Sequence, residues 1–362
     1  MRSATPKVLH TLAGRSMLGH ALATARALDP GRVVVVVRHG REAVAAHVAE
    51  VDPQALLADQ DDIPGTGRAV QVAMSALDAA AQGAEGVGLF RTEFVFLDHD
   101  EAPGLDEQVA AYRQVLAAFP GRKVVVRTLD AGADKPLPFL AGDAEANPAL
   151  GVRGLRTSVA HPEVLDDQLT AIARAAAAES ATVWVMAPMV ATVDEAQDFV
   201  AACARHGLDT AGVMVEVPSA ALLAGPILAH ASFASIGTND LTQYTMAADR
   251  VLGAVAHLSY AWQPAVLQLV AATCRGGAQQ GRPVGVCGEA AAVPALAVVL
   301  IGLGVTSLSM TPRALPDVAA VLAATPLDEC RRLATLALAA STATDAQEVV
   351  RAGLPVLAEL GL

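Results

Sequence analysis

Val284-Gly285-Val286-Cys287-Gly288-Glu289 is an apolar, β-branched run that ends in a thiol and is cut at once by glycine. A strand that carries one reactive side chain to its C-terminal end and then turns sharply reads this way. The same grammar recurs along the chain. Gly86 to Phe90 ends in Arg91, and Lys123 to Val126 ends in Arg127 with Asp130, Asp134 and Lys135 close behind. Thr182 to Met186 runs to Pro188-Met189, Gly212 to Val215 ends in Glu216, and Phe233 to Gly237 ends in Thr238-Asn239-Asp240. Thr306 to Met310 closes the series. Between these runs lie alanine- and leucine-rich stretches of helical period, such as Pro162 to Ala178, Val193 to Ala204 and Ala265 to Ala278. Strand, polar tip, helix, repeated in this order, predicts an α/β fold: a (β/α)8 TIM-type barrel whose polar strand tips share one face.

Composition agrees and narrows the function classes. Hydrophobic residues make up 53% of 362 and aromatics only 3%, which suits helices on a buried parallel sheet and disfavours a base-stacking platform. A net charge of −12 argues against nonspecific nucleic-acid binding. The four cysteines are scattered without a CxxC pair, so neither a zinc site nor a disulfide framework is expected, and a reduced, cytoplasmic setting follows. His99, His161, His206, His230 and His257 show no HxxxH or HxH spacing, against a histidine metal site. No signal-peptide pattern opens the chain, and the alanine-rich windows are too short to span a bilayer, so no membrane partner is expected.

The chemistry lies in the tips. Arg91, Arg127, Arg153 and Arg250 offer planar forks that match phosphate or carboxylate oxygens. Glu216 and Asp240 offer hard oxygens of the kind that hold Mg2+ together with substrate and water. Cys287 can donate a proton to carbon if its pKa is tuned near neutrality. Together these describe a site for a small, multiply charged phosphorylated acid.

The wording of these segments is specific. GVGLFRTEF (86–94), VRTLD (126–130), DKPLP (134–138), NPALGVR (147–153), VMVEVP (213–218), SIGTNDLTQYTMAADR (235–250) and GVCGE (285–289) resemble enzyme I of the bacterial sugar phosphotransferase system over residues 82 to about 345. The resemblance implies a barrel that binds phosphoenolpyruvate with Mg2+. Arg91, Arg127 and Arg250 would hold its phosphate and carboxylate, with Arg153 and Lys135 in support and Asn239 beside the substrate. Glu216 and Asp240 would bind the metal. Cys287 would protonate the enolate carbon as pyruvate forms. A homodimer is implied in the same way.

Residues 1 to about 80 read differently. RSATPKVLH (2–10), LAGRSML (12–18) and PGTGRA (64–69) resemble bacterial N-acetylglucosamine-1-phosphate uridylyltransferases. The glycine-rich loop and the metal-binding aspartate of that family are missing from this text, and only Lys7, Gln60, Gly65 and Thr66 match nucleotide-contacting positions. The segment is expected to be a remnant without transferase chemistry. The valine run within 32–37 and the stretch 55–60 read as strands, with helices over 16–28, 41–49 and 68–81. The expected division is an α/β extension over 1–52 and a barrel over 53–362, the strand at 55–60 serving as its first.

The swivelling histidine domain and the carrier-docking helical domain of enzyme I are not in this text. The expected activity is therefore Mg2+-dependent phosphoryl transfer from phosphoenolpyruvate to a histidine supplied by a separate domain or phosphocarrier protein. Two other readings remain open: a phosphoenolpyruvate-binding regulator without turnover, and a nucleotide binder acting through Lys7 and Gly65-Thr66.

Overall fold

The computed structural model describes residues 7–9, 11–12, 14–27, 33–37, 41–59, 83–97, 101–131, 137–140 and 145–362. Its contacts divide the chain into two compact units, Met1–Ala81 and Gln82–Leu362. The 52/53 boundary expected from sequence thus falls inside the first unit.

Among its described residues the second unit has seven parallel strands: β1 (Gly86–Arg91), β2 (Lys123–Arg127), β3 (Thr182–Ala187), β4 (Ala211–Val215), β5 (Ala234–Gly237), β6 (Val284–Cys287) and β7 (Ser307–Leu308). Each pairs with its sequence neighbour, so the sheet runs in chain order from β1 to β7. Val124, Val125 and Val126 of β2 are all buried, as a strand covered on both faces requires. One face of the sheet turns inward: Val125, Met186, Met214, Phe233 and Cys287 form a single apolar cluster with Leu89 and Trp184. Trp184 lies against Phe233, ring centroids 4.8 Å apart.

The outer layer is helical. Leu105–Ala117, Pro162–Ala178, Val193–Arg205 and Pro264–Gln280 follow the strands with their apolar stripes inward. Thr192 starts the third of these with a capping box: its hydroxyl accepts the Glu195 N–H, and the Glu195 carboxylate accepts the Thr192 N–H. Pro294–Gly302 is apolar all round, and Ala295 through Leu300 are buried. Among the described residues no helix is long and apolar enough to cross a membrane.

The sheet nearly closes on itself. A Cβ built at Gly88 of β1 would stand 2.5 Å from Cβ of Ser309, just past β7, so the first and last strands face each other. β1 also carries a register shift between Val87 and Phe90, next to this approach. Gly88→Ala is therefore expected to wedge the two edges apart and to lower stability by roughly 1–3 kcal/mol, read from urea unfolding. Unchanged stability would mean that the edges are not packed.

The strand expected at 55–60 does not pair with the barrel sheet. Leu56–Asp59 is a strand, but it pairs in parallel with Val34–Val37 in a two-stranded sheet separate from the barrel sheet. Helix Arg41–Val51 joins the pair, and Leu22, Val33, Val44 and Val48 form its small core. Arg26 clamps Asp52 at the end of that helix, Nε to Oδ2 at 2.8 Å and Nη2 to Oδ1 at 2.9 Å. Pairing across one helix closes a short loop at small entropic cost, and this local solution takes the strand. The helix expected at 68–81 lies outside the described residues.

Candidate functional site

Several strand-tip side chains come together in the second unit. In the β1–β2 ladder Arg91 is the register partner of Arg127, so two guanidiniums leave adjacent strands side by side. They have different surroundings. Arg91 is 43% exposed, lies 3.4 Å from Glu93 and stacks over Phe94. Arg127 is buried, its Nη2 2.8 Å from Glu93 Oε1 and its Nη1 3.2 Å from Asp130 Oδ2. Its Nε is buried without a partner, a donor left over inside the cluster.

Arg153 arrives from the loop after β2. It donates to both oxygens of Asp130, at 2.9 Å to Oδ2 and 3.2 Å to Oδ1. Its Nη1 reaches Asp240 Oδ1 at 3.3 Å and the Tyr244 hydroxyl at 3.2 Å. Asp240 and Tyr244 lie four residues apart on helix Thr238–Met246, hence on one face. Arg250, a third exposed, meets the same Asp240 oxygen at 3.5 Å. Burial pulls the Arg127 and Arg153 guanidiniums down, but the carboxylates around them reverse this, and both end above the ordinary arginine value.

Glu216, at the tip of β4, is 1% exposed and accepts the Met189 N–H at 2.7 Å. Burial pushes its carboxyl up to about 8. Asp130 and Asp240 add to the rise, and Arg127 opposes it. Glu216, whose charge is disfavoured by burial and by its carboxylate neighbours, forms with Asp240 a donor set that a dication would relieve. Among the described residues no group of three or more His, Cys, Asp and Glu side chains is arranged to enclose a metal. Glu216 and Asp240 are hard oxygen donors of the kind that could hold an ion completed by substrate and water, as Mg2+ commonly is.

Cys287 ends β6 in register with Gly237. Its Sγ lies 3.5 Å from the Ile236 carbonyl, and its side chain joins the barrel's inner apolar cluster. The thiol is pushed up to about 11, away from the neutral range, by burial, which outweighs the pull of Ser235 and Arg127. It is held protonated, the state a proton donor needs and a nucleophile does not. Gly288 follows with φ 95, and a Cβ there would stand 2.7 Å from Thr238 Oγ1, so glycine lets β6 end against β5. Asn239 is exposed, and its Oδ1 is 3.4 Å from the Glu289 N–H. All four cysteines are buried. Ellman's reagent at pH 7.5 is expected to find no fast-reacting thiol in the native protein and all four after unfolding. A fast native thiol at Cys287 would contradict this geometry.

Of the site residues expected from sequence, Arg91, Arg127, Arg153, Glu216, Asp240, Arg250, Asn239 and Cys287 stand at the strand tips and their loops. Lys135 lies outside the described residues, as do Gln60, Gly65 and Thr66. Glu93 and Asp130 went unassigned by sequence reading, yet they neutralise the two buried arginines. Their signal was present in the carboxylates two residues past Arg91 and three past Arg127.

A sequence profile described as the PEP-binding domain of PEP-utilising enzymes matches residues 52–326. It begins well inside the segment whose wording resembles a uridylyltransferase, a resemblance that gains no support from it. The chain is 56% identical over 278 residues to a phosphoenolpyruvate-protein phosphotransferase of Streptomyces coelicolor, covering 76% of this chain and 50% of that protein. A protein of the same name from Haloferax volcanii is 40% identical over 339 residues, covering 89% and 60%. A multiphosphoryl transfer protein of Xanthomonas campestris is 44% identical over 279 residues, covering 75% and 33%. The chain thus spans about half the length of the curated relatives it matches. Among solved structures, a malate synthase of Haloferax volcanii overlaps with a TM-score of 0.44 at 14% identity over 71% of each chain, too loose a likeness to bear on function. The match covers most of the chain, and the chain therefore belongs to the PEP-utilising enzymes, whose PEP-binding domain it carries.

Proposed function

We propose that this barrel binds phosphoenolpyruvate together with Mg2+ and delivers its phosphoryl group to a histidine supplied by another domain or protein, with release of pyruvate. The observation that carries the reading is the cluster of charges at the tips. Arg91, Arg127, Arg153 and Arg250 stand among Glu93, Asp130, Asp240 and the Glu216 carboxyl, whose neutral form burial favours. A dication would draw Glu216 into its charged form and offset the charge of the entering anion, which a bare anion cannot do. Binding is therefore expected to require both components.

Arg91 and Arg250, the more exposed pair, would turn onto phosphate and carboxylate oxygens. Arg127 and Arg153 are fixed by their carboxylates and supply a stationary field. Glu216 and Asp240 would hold Mg2+, which when bound supplies positive charge to the phosphate and enolate oxygens. In the transfer, the bond from phosphorus to the enol oxygen breaks and a bond from phosphorus to the acceptor imidazole nitrogen forms. The enolate carbon takes its proton from the Cys287 thiol, and water returns a proton to sulfur. Lys135 and Asn239 belong to the same proposal as substrate contacts.

Relatives described as multiphosphoryl transfer proteins suit an acceptor carried by a longer assembly. A role in sugar uptake, a cytoplasmic location and a homodimer belong to the same reading. A phosphoenolpyruvate-binding regulator is the second reading, favoured by the deep burial of Cys287 among Val125, Met186 and Met214. Isothermal titration of phosphoenolpyruvate with and without Mg2+ tests binding. Pyruvate formation with a purified phosphohistidine domain of a relative tests transfer. Turnover that survives in wild type and is lost in Cys287→Ala supports the enzyme; tight binding without turnover supports the regulator.

A further inference from the structure

Behind the arginine tips runs a buried chain of hydrogen bonds that the proposed chemistry does not use. Its centre is Gln168, on the inward face of helix Pro162–Ala178 and 1% exposed. The Gln168 Oε1 accepts the Leu129 N–H at 2.8 Å. A backbone N–H can only donate, so this contact fixes which way the amide points. The Nε2 group then donates at 3.0 Å to the Thr92 hydroxyl and at 3.0 Å to the Tyr112 hydroxyl. Every hydrogen-bonding group of one buried amide is thereby engaged.

Both hydroxyls pass the direction on. Thr92, having accepted from Gln168, donates to the Arg127 carbonyl at 2.9 Å. Tyr112 donates to Gln108 Oε1 at 3.2 Å, and Gln108 Nε2 donates to the Pro103 carbonyl at 3.0 Å. Thr92 lies between Arg91 and Glu93, and Leu129 lies between Arg127 and Asp130 with one residue to spare. One side chain from an outer helix thus ties together the two segments that carry the paired guanidiniums and their carboxylates.

We infer that Gln168 is a positioning residue: acting through Thr92 and Leu129, it sets the spacing of Arg91 and Arg127 to that of the ligand's anionic groups. This rests on the phosphoenolpyruvate reading. Gln168 does not touch the ligand in this scheme. A displacement of about 1 Å in a positioning element can change binding or rate by up to about a hundredfold, so the link need not be strong to matter.

The test uses the full chain with Gln168→Leu, Thr92→Val, Thr92→Ser and the Gln168→Leu/Thr92→Val double variant. Phosphoenolpyruvate affinity at saturating Mg2+ is measured beside urea unfolding and the Arg127 Nε–H signal in NMR spectra of the ligand-free protein. Gln168→Leu and Thr92→Val should each lose roughly tenfold or more in affinity and move the Arg127 signal. Thr92→Ser, which keeps the hydroxyl, should stay within about twofold of wild type. The double variant should be no worse than the poorer single one, because both break one path. Full affinity and an unmoved Arg127 signal in Gln168→Leu, with stability alone reduced, would overturn the inference, as would additive losses. If Gln168→Leu does not fold, the contrast between Thr92→Val and Thr92→Ser decides the same point. If wild type binds no phosphoenolpyruvate, it is the binding reading that fails. The positioning claim then stands or falls on the Arg127 signal.

Discussion

Arg127→Met is expected to abolish phosphoenolpyruvate binding and to destabilise the ligand-free protein at the same time. The substitution keeps apolar volume but leaves Glu93 and Asp130, 1% and 2% exposed, without the guanidinium that lies 2.8 and 3.2 Å from them. Removing one partner of a buried ion pair costs about 3–5 kcal/mol, because the remaining charge stays desolvated. Here Arg91 still faces Glu93 and Arg153 still clamps Asp130, so the lower end of that range is expected. Lysine should not rescue the site: one ammonium cannot span two carboxylates as the planar fork does. Binding should weaken by roughly a hundredfold or more, the scale of a truncated buried charge contact. Titration calorimetry and urea unfolding on the same preparation check both halves. Retained affinity in Arg127→Met would show that the ligand is held elsewhere.

Glu216→Gln should act in opposite directions on stability and function. In metal-free buffer the Glu216 carboxyl sits at about 8, raised from 4.5 chiefly by burial. A folded-state pKa above the unfolded value means stability that is present below about 4.5 and lost as pH rises through about 8. An amide in that place has no charge to desolvate, and its oxygen can still accept the Met189 N–H. Ligand-free Glu216→Gln should therefore be more stable than wild type, by an amount that grows between pH 5 and pH 8 to a few kcal/mol. The same variant should lose the dependence of phosphoenolpyruvate binding on Mg2+, along with most of the binding. Stability curves against pH in chelator, followed by titration with Mg2+, separate the two effects. A variant no more stable than wild type at pH 8 would mean that Glu216 is not strained in the ligand-free site.

Much of the site could be read from sequence because a parallel barrel converts strand endings into a common face. Arg91, Arg127, Glu216, Asp240 and Cys287 each follow an apolar run, and the fold alone brings them together. What pairs with them could not be read. Arg153 meets Asp240 across 87 positions, and Thr92 meets Gln168 across 76. No local period encodes such contacts. The state of the Cys287 thiol could not be read for the same reason, since burial among Val125, Met186 and Met214 belongs to packing and not to spacing. The strand at Leu56–Asp59 was found but given the wrong neighbour. An apolar run states that a strand exists and is silent about which edge it joins; here the nearer partner, Val34–Val37, took it.

Thermal unfolding with Mg2+ alone, with phosphoenolpyruvate alone and with both tests the central claim most directly. A ligand at about 100 times its dissociation constant adds roughly 2.7 kcal/mol to a folded state that alone binds it. The expected result is a cooperative upward shift with both components, little shift with either alone, and none in Arg127→Met. A cooperative transition that stays in place when both are present at millimolar concentration would contradict a site assembled for phosphoenolpyruvate at these strand tips.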